Sequence, residues 1–470
     1  MLQPVNRLTP EILSRIARDV PHKYSNIDAQ RIIPLTHVCR YWRASILSIP
    51  ENWTLISSCS KLLAALSLER SRAAPLEISL FMDEVREQPG FTGLLIPYLQ
   101  NVEILRISEL TTVEEMTQTL PNFPHSTPKL RLLELSLSDE GGKWDPSIDP
   151  FGLFPPTLSD LSLHDIPLYP SFLEMRTLTQ FTFHNLKFSL PLSALSTVLE
   201  RNHALESVTL MNNFPEIDAP LQHLHRAAIG DRLKYLRIHC WNAIADAQIL
   251  ISTISLRKGA HLEISSGCGK GLNEILSGIS TAHLGNLPGP TFMEYESHPR
   301  EIRLHGPNGT FSFNNFDGLD GLFLEFPVLP PLTDIREFRF IHRTSLIPPP
   351  GPELSHQLTS FSALETLAIE CDIECNTDLS DALSPLISSN SDHPSLKTLA
   401  FLNCVITNSF MEGLTRFASN RKYTPLAGLH RVVIVHRDGK FPSAASIRAL
   451  QMMVPVVDVR FGRELPTDLT

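Results

Sequence analysis

Residues 130–135 read LRLLEL, one copy of a phrase that returns along the chain. The phrase is an apolar residue, two others, an apolar residue, one other and an apolar residue. A first series of copies starts 28, 28, 20, 27 and 28 residues apart, at Val102, Leu130, Leu158, Leu178, Leu205 and Leu233. A looser second series starts at Leu319, Ile335, Leu364, Leu396 and Leu429. A period of this length indicates a repeat array.

The segments between the phrases have the character of helices, most clearly at residues 61–72, 192–203, 381–388 and 411–419. One short parallel strand and one returning helix per repeat resembles the leucine-rich-repeat plan. In such an array no repeat closes its own core, so neighbours must stack. The expected fold class is α/β, with an irregular leucine-rich-repeat solenoid of parallel strands and returning helices after a small helical domain.

Two stretches interrupt the repeats. Between residues 259 and 318 the phrase almost disappears and Gly and Pro accumulate, so we expect a break in regularity or a large loop. Residues 347–352 read IPPPGP, which can be neither helix nor central strand, so a second loop is expected there.

The first 56 residues have a different pattern. Thr9 is a candidate N-cap, Pro10 suits the first helical position, and Pro21 ends the helix. A second amphipathic helix is predicted from apolar residues in steps of four and three, namely Leu35, Cys39, Trp42, Ile46 and Ile49. About 50 residues are too few to bury all this apolar surface, so some is left for a partner.

Three blocks of this region are similar in order to the F-box, the helical module that docks on the Skp-type adaptor of cullin ubiquitin ligases. They are LTPEIL from residue 8, LTHVCRYWR from residue 35 and PENWTLI from residue 50. The residues of these blocks resemble those of F-box-like proteins of mushroom-forming fungi. The chain departs from the pattern in Thr9, where the family usually has Pro, and in a longer link at residues 22–27.

The resemblance implies an adaptor-binding set and a domain plan. The adaptor-binding residues would be Leu8, Pro10, Glu11, Ile12, Leu13, Ile16, Leu35, Val38, Cys39, Trp42 and Trp53. The domains would be an F-box-like domain at 1–56, a transition with a first helix–strand unit at 57–100, and the solenoid at 101–470. The partners would be the adaptor, the cullin reached through it, and an unknown target protein.

The composition argues against several other classes of protein. A net charge of −10 argues against a nucleic-acid partner, because phosphate binding needs a basic excess. Hydrophobic residues make up 42% of the chain, yet no run of about 18 apolar residues predicts a membrane span, and no signal peptide is recognised. Seven scattered cysteines suit a reducing compartment, so the expected location is cytoplasmic, nuclear or both.

No motif predicts catalysis, a metal site or a cofactor. Residues 265–271, SSGCGKG, invite comparison with a phosphate loop, but the required spacing and the final Ser or Thr are missing. A C-x-x-x-C pair at Cys371 and Cys375 lacks a second ligand pair at zinc-site distance. The chain is therefore expected not to be an enzyme.

Alternate residues of each strand phrase should point to an exposed face. Because adjacent strands lie about 4.8 Å apart, His164 and His184 should be neighbours. One interpretation is a target-binding face, with Tyr235 and Arg237 as anchors. The predicted set is Arg106, Glu134, His164, His184, Tyr235, Arg237 and His239. A merely polar surface, or a metal or pH-sensing role for the histidines, are the alternatives.

The preferred hypothesis is a non-enzymatic substrate receptor of a Skp/cullin/F-box ubiquitin ligase. The first alternative is a repeat scaffold that holds protein partners together without any link to a ubiquitin ligase. The second is an enzyme with a site in the irregular region at 259–318.

Overall fold

The structure is a computed structural model of mixed α/β class, with helices and mostly parallel strands. It describes residues 8–19, 32–119, 123, 125–138, 154–185, 192–212, 233–240, 260–266, 292–297, 300–306, 309–315, 335–342, 361–371, 395–404, 406, 408–422, 428–436 and 443–461. The chain divides into two compact units, Met1–Leu233 and Lys234–Thr470. The predicted boundaries at 56 and 100 both fall inside the first unit.

The head, residues 8–56, contains α1 (Pro10–Asp19), α2 (Ile32–Thr36), α3 (Arg40–Ser48), a 3₁₀ helix (Pro50–Trp53) and the first two residues of strand β1 (Leu55–Ser57). α1 begins directly after Thr9, as predicted. The prediction of a single helix across residues 35–49 is wrong, because residues 37–39 are not helical and separate α2 from α3. Cys39 caps α3 there, with its sulfur 3.5 Å from the backbone N of Trp42.

Large apolar side chains close the core of the head. The buried members are Leu13, Ile32, Trp42, Ile46 and Trp53, and Leu8, Leu35, Cys39, Leu47 and Leu66 pack around them. Fully burying a side chain of this size contributes on the order of 1.5–3 kcal/mol. The head therefore has a hydrophobic core to which the following helix contributes Leu66.

A buried polar clasp ties three parts of the head together. The Ser14 hydroxyl donates to Asn52 Oδ1 at 2.7 Å, and Asn52 Nδ2 donates to the Ile46 carbonyl oxygen at 3.2 Å. Trp53 Nε1 donates to the same carbonyl, also at 3.2 Å. The guanidinium of Arg70 lies 4.5 Å from the Trp53 ring centroid, which links the head to the next helix by a cation–π contact.

The rest of the first unit alternates strands and helices. It contains β1, α4 (Lys61–Ser71), β2 (Leu76–Phe81), α5 (Met82–Glu87), α6 (Phe91–Leu95), a 3₁₀ helix (Ile96–Asn101), β3 (Val102–Leu110), α7 (Val113–Thr119), β4 (Leu132–Leu137), β5 (Asp160–His164), α8 (Pro170–Leu173), β6 (Gln180–Asn185), α9 (Leu192–Arg201) and β7 (Ser207–Asn212). Each strand pairs in parallel with the next one along the chain. The helices predicted at 61–72 and 192–203 are confirmed as α4 and α9.

The second unit also contains parallel strands. It has β8 (Tyr235–Cys240), β9 (Ala260–Ser266), β10 (Phe292–Ser297), β11 (Arg300–Gly306), β12 (Gly309–Asn315), β13 (Glu337–His342), β14 (Thr366–Cys371), β15 (Thr398–Leu402), α10 (Asn408–Lys422), β16 (Arg431–His436), α11 (Ala444–Gln451) and β17 (Val456–Phe461). β13 to β17 pair in parallel in chain order. The phrases from Leu319 and the segments at 347–352 and 381–388 lie outside the described residues.

The irregular region differs from the rest in strand direction. β10, β11 and β12 form an antiparallel meander, and its outer strands pair in parallel with β13 and β9. The expected break in regularity is therefore confirmed. It is an inserted hairpin pair rather than a missing part of the sheet, so the local strand order is β9, β12, β11, β10, β13.

Strands β14 to β16 bury both of their faces. One face carries the phrase residues, such as Leu367, Leu399 and Val432, and the other carries small apolar residues. This second cluster consists of Ala368, Ala400, Leu402, Val433 and Val435. On this second face, polar residues are partly exposed only toward the strand ends, at Thr366, Glu370, Thr398 and Arg431. No helix in the described part of the chain combines the length and apolarity needed to cross a bilayer.

The clasp gives a prediction about the stability of the head. Ser14→Ala removes the hydroxyl donor and leaves Asn52 Oδ1 buried, which should cost about 1–3 kcal/mol. Hydrogen–deuterium exchange in α1 and α3 should then be faster. Ser48→Ala is the matched control, because its hydroxyl is exposed and bonds only within its helix, and should change stability by less than about 0.5 kcal/mol. Equal exchange in the two variants would contradict the role of the clasp.

Candidate protein-binding surfaces

The head exposes large apolar side chains around its closed core. Ile12 is 46% exposed, Ile33 40%, Val38 52% and Tyr41 37%. The Tyr41 hydroxyl donates to the Leu8 carbonyl oxygen at 2.7 Å, which holds α3 against the start of α1. Elsewhere in the described chain, exposed side chains of this size are more scattered, namely Leu62, Ile96, Met452 and Val456. We call Ile12, Ile33, Val38 and Tyr41 the apolar set of the head.

Basic side chains accompany the apolar set. Arg40 and Arg43 are exposed on α3, and Arg43 Nε donates to the Thr36 carbonyl oxygen at 3.0 Å. This bond closes the turn between α2 and α3, so it fixes where Val38 is presented. No Asp or Glu occurs between residues 32 and 50. This part of the head therefore combines apolar and positive groups, which suits an apolar partner surface with acidic residues at its edge.

The structure divides the predicted adaptor-binding residues by burial. Glu11, Ile12 and Val38 are exposed, and Leu8, Pro10, Ile16, Leu35 and Cys39 are partly exposed. Leu13, Trp42 and Trp53 are buried in the core, so the expectation that they contact a partner directly is corrected. Their role is to hold the head together. Ile33 and Tyr41 were missed, because Ile33 precedes the predicted helix and Tyr41 lies off its apolar stripe.

A ladder of polar side chains crosses the exposed strand positions of the first unit. Arg106 pairs with Glu77 on one side, and its Nε lies 3.3 Å from Glu134 Oε2 on the other. Glu134 Oε1 lies 3.8 Å from His164 Nε2. His164 Nδ1 lies 3.2 Å from His184 Nδ1. The prediction that the two histidines are neighbours is confirmed, because they are register partners on β5 and β6.

Burial is the main influence on the pKa of His164. It lowers the pKa of the imidazole, against the opposing effect of Glu134, and His184 lowers it further. The ring is also hydrogen-bonded within its own strand, since Ser162 Oγ lies 2.9 Å from its Nε2. The ladder thus holds one Arg between two carboxylates and ends in two histidines in contact with each other.

The second unit has its own polar cluster on β8 and β9. Arg237 Nη2 lies 2.8 Å from Glu263 Oε2, and the Tyr235 hydroxyl donates to the same oxygen. The Tyr235 ring stacks on His261 with centroids 5.1 Å apart and planes 1° from parallel. Burial, together with Glu263, raises the pKa of Tyr235 to about 12. The predicted anchors Tyr235 and Arg237 therefore lie together on a rigid support.

His239 does not join this surface. It is only 9% exposed, and its register partner Ser265 is 2% exposed. The prediction that His239 lies on the exposed face is wrong, because this end of β8 and β9 is buried on both faces. Glu263 and His261 were missed, although the partial phrase HLEI at residues 261–264 already placed them on a strand.

The described residues contain no group of three or more His, Cys, Asp and Glu side chains placed to hold a metal ion. Cys371 closes β14, and Cys375 lies outside the described residues. The chain matches no protein-family model and no curated protein.

Glu263 gives a prediction for the second unit. Glu263→Gln removes a buried carboxylate from Arg237 and Tyr235 and should destabilise β8 and β9 by about 1–3 kcal/mol. Exchange of the amides of these strands measures the loss. Glu365→Gln is the control, because its pair with Lys397 is exposed and should contribute about 0–1 kcal/mol. If Glu365→Gln lost as much stability as Glu263→Gln, the proposed difference between the buried and the exposed ion pair would be refuted.

Glu337 gives a prediction about pH. Burial raises the pKa of this carboxyl on β13, and Arg339 only partly opposes it. A raised pKa means that the folded state holds the proton more tightly than the unfolded state, so the contribution of Glu337 to stability falls as pH rises above about 4.3. Glu337→Gln should therefore be more stable relative to the native protein at pH 7 than at pH 4. Urea unfolding at both pH values measures the difference, and a pH-independent difference would contradict it.

Proposed function

We propose that the protein is a non-catalytic substrate receptor of a Skp/cullin/F-box ubiquitin ligase, working in the cytoplasm, the nucleus or both. In this proposal the head is an F-box-like domain that binds a Skp-type adaptor. The strand and return segments stack as an irregular leucine-rich-repeat-like solenoid that binds the target protein. No cofactor is required, because the ubiquitin chemistry belongs to the other subunits.

The apolar set of the head is the observation that carries this proposal. Other side chains fill the core of the head, so Ile12, Ile33 and Val38 are not needed for it and remain exposed, as does Tyr41. Burying apolar area contributes about 25 cal/mol per Å², so such side chains on one small unit favour association. Ile12 lies in the first F-box-like block, and Val38 and Tyr41 lie in the second.

The head is fixed to the strands that follow it. Trp53 belongs to the core of the head, while Leu66 and Arg70 of α4 pack against that core and over the Trp53 ring. β1 follows within two residues and pairs in parallel with β2. A target held on the strands of the first unit would thus keep a defined position relative to the adaptor. Such fixing raises the effective concentration of a target lysine near the ubiquitin thioester.

The exposed strand positions suit a protein target. Arg106, Tyr235 and Arg237 belong to residue types that dominate binding hot spots. Each is held by carboxylates on neighbouring strands, so little side-chain entropy remains to be lost on binding. The charges of Arg237 and Glu263 cancel, whereas Arg106 between Glu77 and Glu134 leaves one net negative charge, so contacts to the partner would rest largely on shape and hydrogen bonds.

Co-purification of the intact chain with a Skp-type adaptor tests the head. Ile12→Glu and Val38→Glu place a charge in the proposed interface and should weaken adaptor binding at least tenfold, about 1.4 kcal/mol. Ile96→Glu is the matched control, because Ile96 is 50% exposed in the same unit but outside the head. It should bind as the native chain does.

Leu13 and Trp42 are unsuitable for this test, because replacing either opens the core of the head and would abolish binding for a trivial reason. Unchanged hydrogen exchange in α1 and α3 shows that each surface variant remains folded. If the native chain does not bind the adaptor, or if Ile12→Glu and Val38→Glu bind as tightly as Ile96→Glu, the receptor proposal fails. A scaffold without ligase linkage would then be favoured.

A further inference from the structure

Strand β17 is the last of the strands that pair in chain order from β13, and among the described residues no strand lies along its outer edge. The Val456 amide donates to the His430 carbonyl oxygen at 3.1 Å, so the peptide groups of alternate residues from Val456 onward face β16. The peptide groups of Val457 and Val459 therefore point away from β16. An open edge of this kind is a template for another strand.

The side chains of β17 are also less covered than those of the strand before it. Val457 and Val459 are partly exposed, whereas their register partners Val432 and Ile434 are fully buried. On the other face of the strand, Val456 is 50% exposed. Apolar side chains in line with the core are thus left open at this edge. A strand added here would cover them, as β17 covers those of β16.

The charges of β17 indicate which strand would be added. Asp458 Oδ2 lies 2.7 Å from Arg460 Nη2 and 3.9 Å from Arg431 Nη2, and the side chains of Asp458 and Arg460 remain 24% and 48% exposed. An antiparallel copy of the same strand, centred on Val459, places Asp458 of each chain opposite Arg460 of the other. We propose that two copies of this chain associate through β17, with Val459 of one copy opposite Val459 of the second.

The backbone fits that register. Val459 faces its own copy and Val457 faces Phe461 of the second chain, and all three peptide groups point outward, so each pair can exchange both N–H···O bonds. Asp458 and Arg460 fall at the positions between these pairs, where opposite Cα atoms are only about 4.5 Å apart. Directly opposite residues of an antiparallel pair share a face of the sheet, so the partly exposed valines of both copies lie together.

The neighbouring antiparallel registers fit less well. Centred on Asp458 or on Arg460, the pairing puts two like charges against each other, which destabilises a strand pair. Centred on Val457, it puts Pro455 opposite Val459, and proline has no N–H to donate. Charged residues often protect edge strands from pairing. Here opposite charges flank Val459 symmetrically, so they favour a second copy over strands without matching charges.

This inference goes beyond the proposed function and does not rest on it. Adaptor binding is assigned to the head in the first unit, whereas β17 belongs to the second unit. Either can fail without the other, because adaptor co-purification measures one and self-association of the purified chain measures the other.

Sedimentation velocity of the intact chain over a range of concentrations measures the association. The native chain should be a reversible dimer. Val459→Pro removes the N–H at the centre of the pairing and should weaken the dimer at least tenfold. The pairing with β16 should survive, because this N–H points away from β16 and Pro is tolerated at such an edge. Val459→Thr keeps the N–H and the branched shape, so this matched control should dimerise as the native chain does.

Charge reversal tests the register. Arg460→Glu leaves only negative charges at the two contact positions, and Asp458→Lys leaves only positive ones, so each variant alone should dimerise at least tenfold more weakly. Mixed in equal amounts, the two variants bring opposite charges together again and should form a heterodimer. Because this rescue requires both variants to be folded, it separates a lost contact from a lost fold.

Amide hydrogen exchange gives a second readout. Protection of the Val457 and Val459 amides should rise with the concentration of the native chain, while that of the Asp458 amide, which faces β16, should stay constant. The inference is overturned if the native chain remains monomeric, or if Val459→Pro dimerises as tightly as Val459→Thr. It is equally overturned if the mixed charge variants associate no better than each variant alone.

Discussion

Parallel pairing in a nearly constant register is the constraint on which the rest of the molecule depends. A strand of five or six residues buries one row of side chains and presents the other row, and the register decides which presented residues meet. Leu133, Leu161 and Phe181 form one such buried line across β4, β5 and β6. On the opposite face the same register brings His164 and His184 together. The polar contacts of each unit are therefore consequences of strand alignment.

Side chains on the presented rows must be compatible with neighbours about 4.8 Å away, where like charges destabilise and unlike charges stabilise. In the first unit Arg106 stands between Glu77 and Glu134, and in the second Arg237 stands beside Glu263. Arg339 and Glu370 repeat the arrangement, with Arg339 Nη2 2.5 Å from Glu370 Oε2. Where the presented row carries Ala368, Ala400 and Val433 instead, the strands are buried on both faces. Charge alternation therefore marks where a face stays accessible to another molecule.

The strands could be predicted from the sequence because the apolar residues of each repeated phrase are the residues that each strand buries. The His164–His184 contact could be predicted because the register follows from that phrase. Prediction failed where contacts between distant residues decide the outcome. The break between α2 and α3 depends on Cys39 and Arg43 closing a turn, and the burial of His239 depends on how β9 is covered. In the head, periodicity identified the apolar residues but could not tell which are buried and which are exposed. A unit of about 50 residues is too small for the spacing of its apolar residues to distinguish the two.

The connection between head and strands determines what the receptor proposal requires physically. Trp53 packs with Trp42 and Ile46, and Arg70 lies over its ring, so the head and α4 share one core. α4 is followed by β2, whose Glu77 begins the polar ladder with Arg106. A flexible linker would dilute a bound target over a volume that grows with linker length, whereas a shared core confines it. In the receptor proposal the target lysine must lie within reach of the enzyme, so a fixed joint at Trp53 would make geometry, as well as affinity, select the substrate.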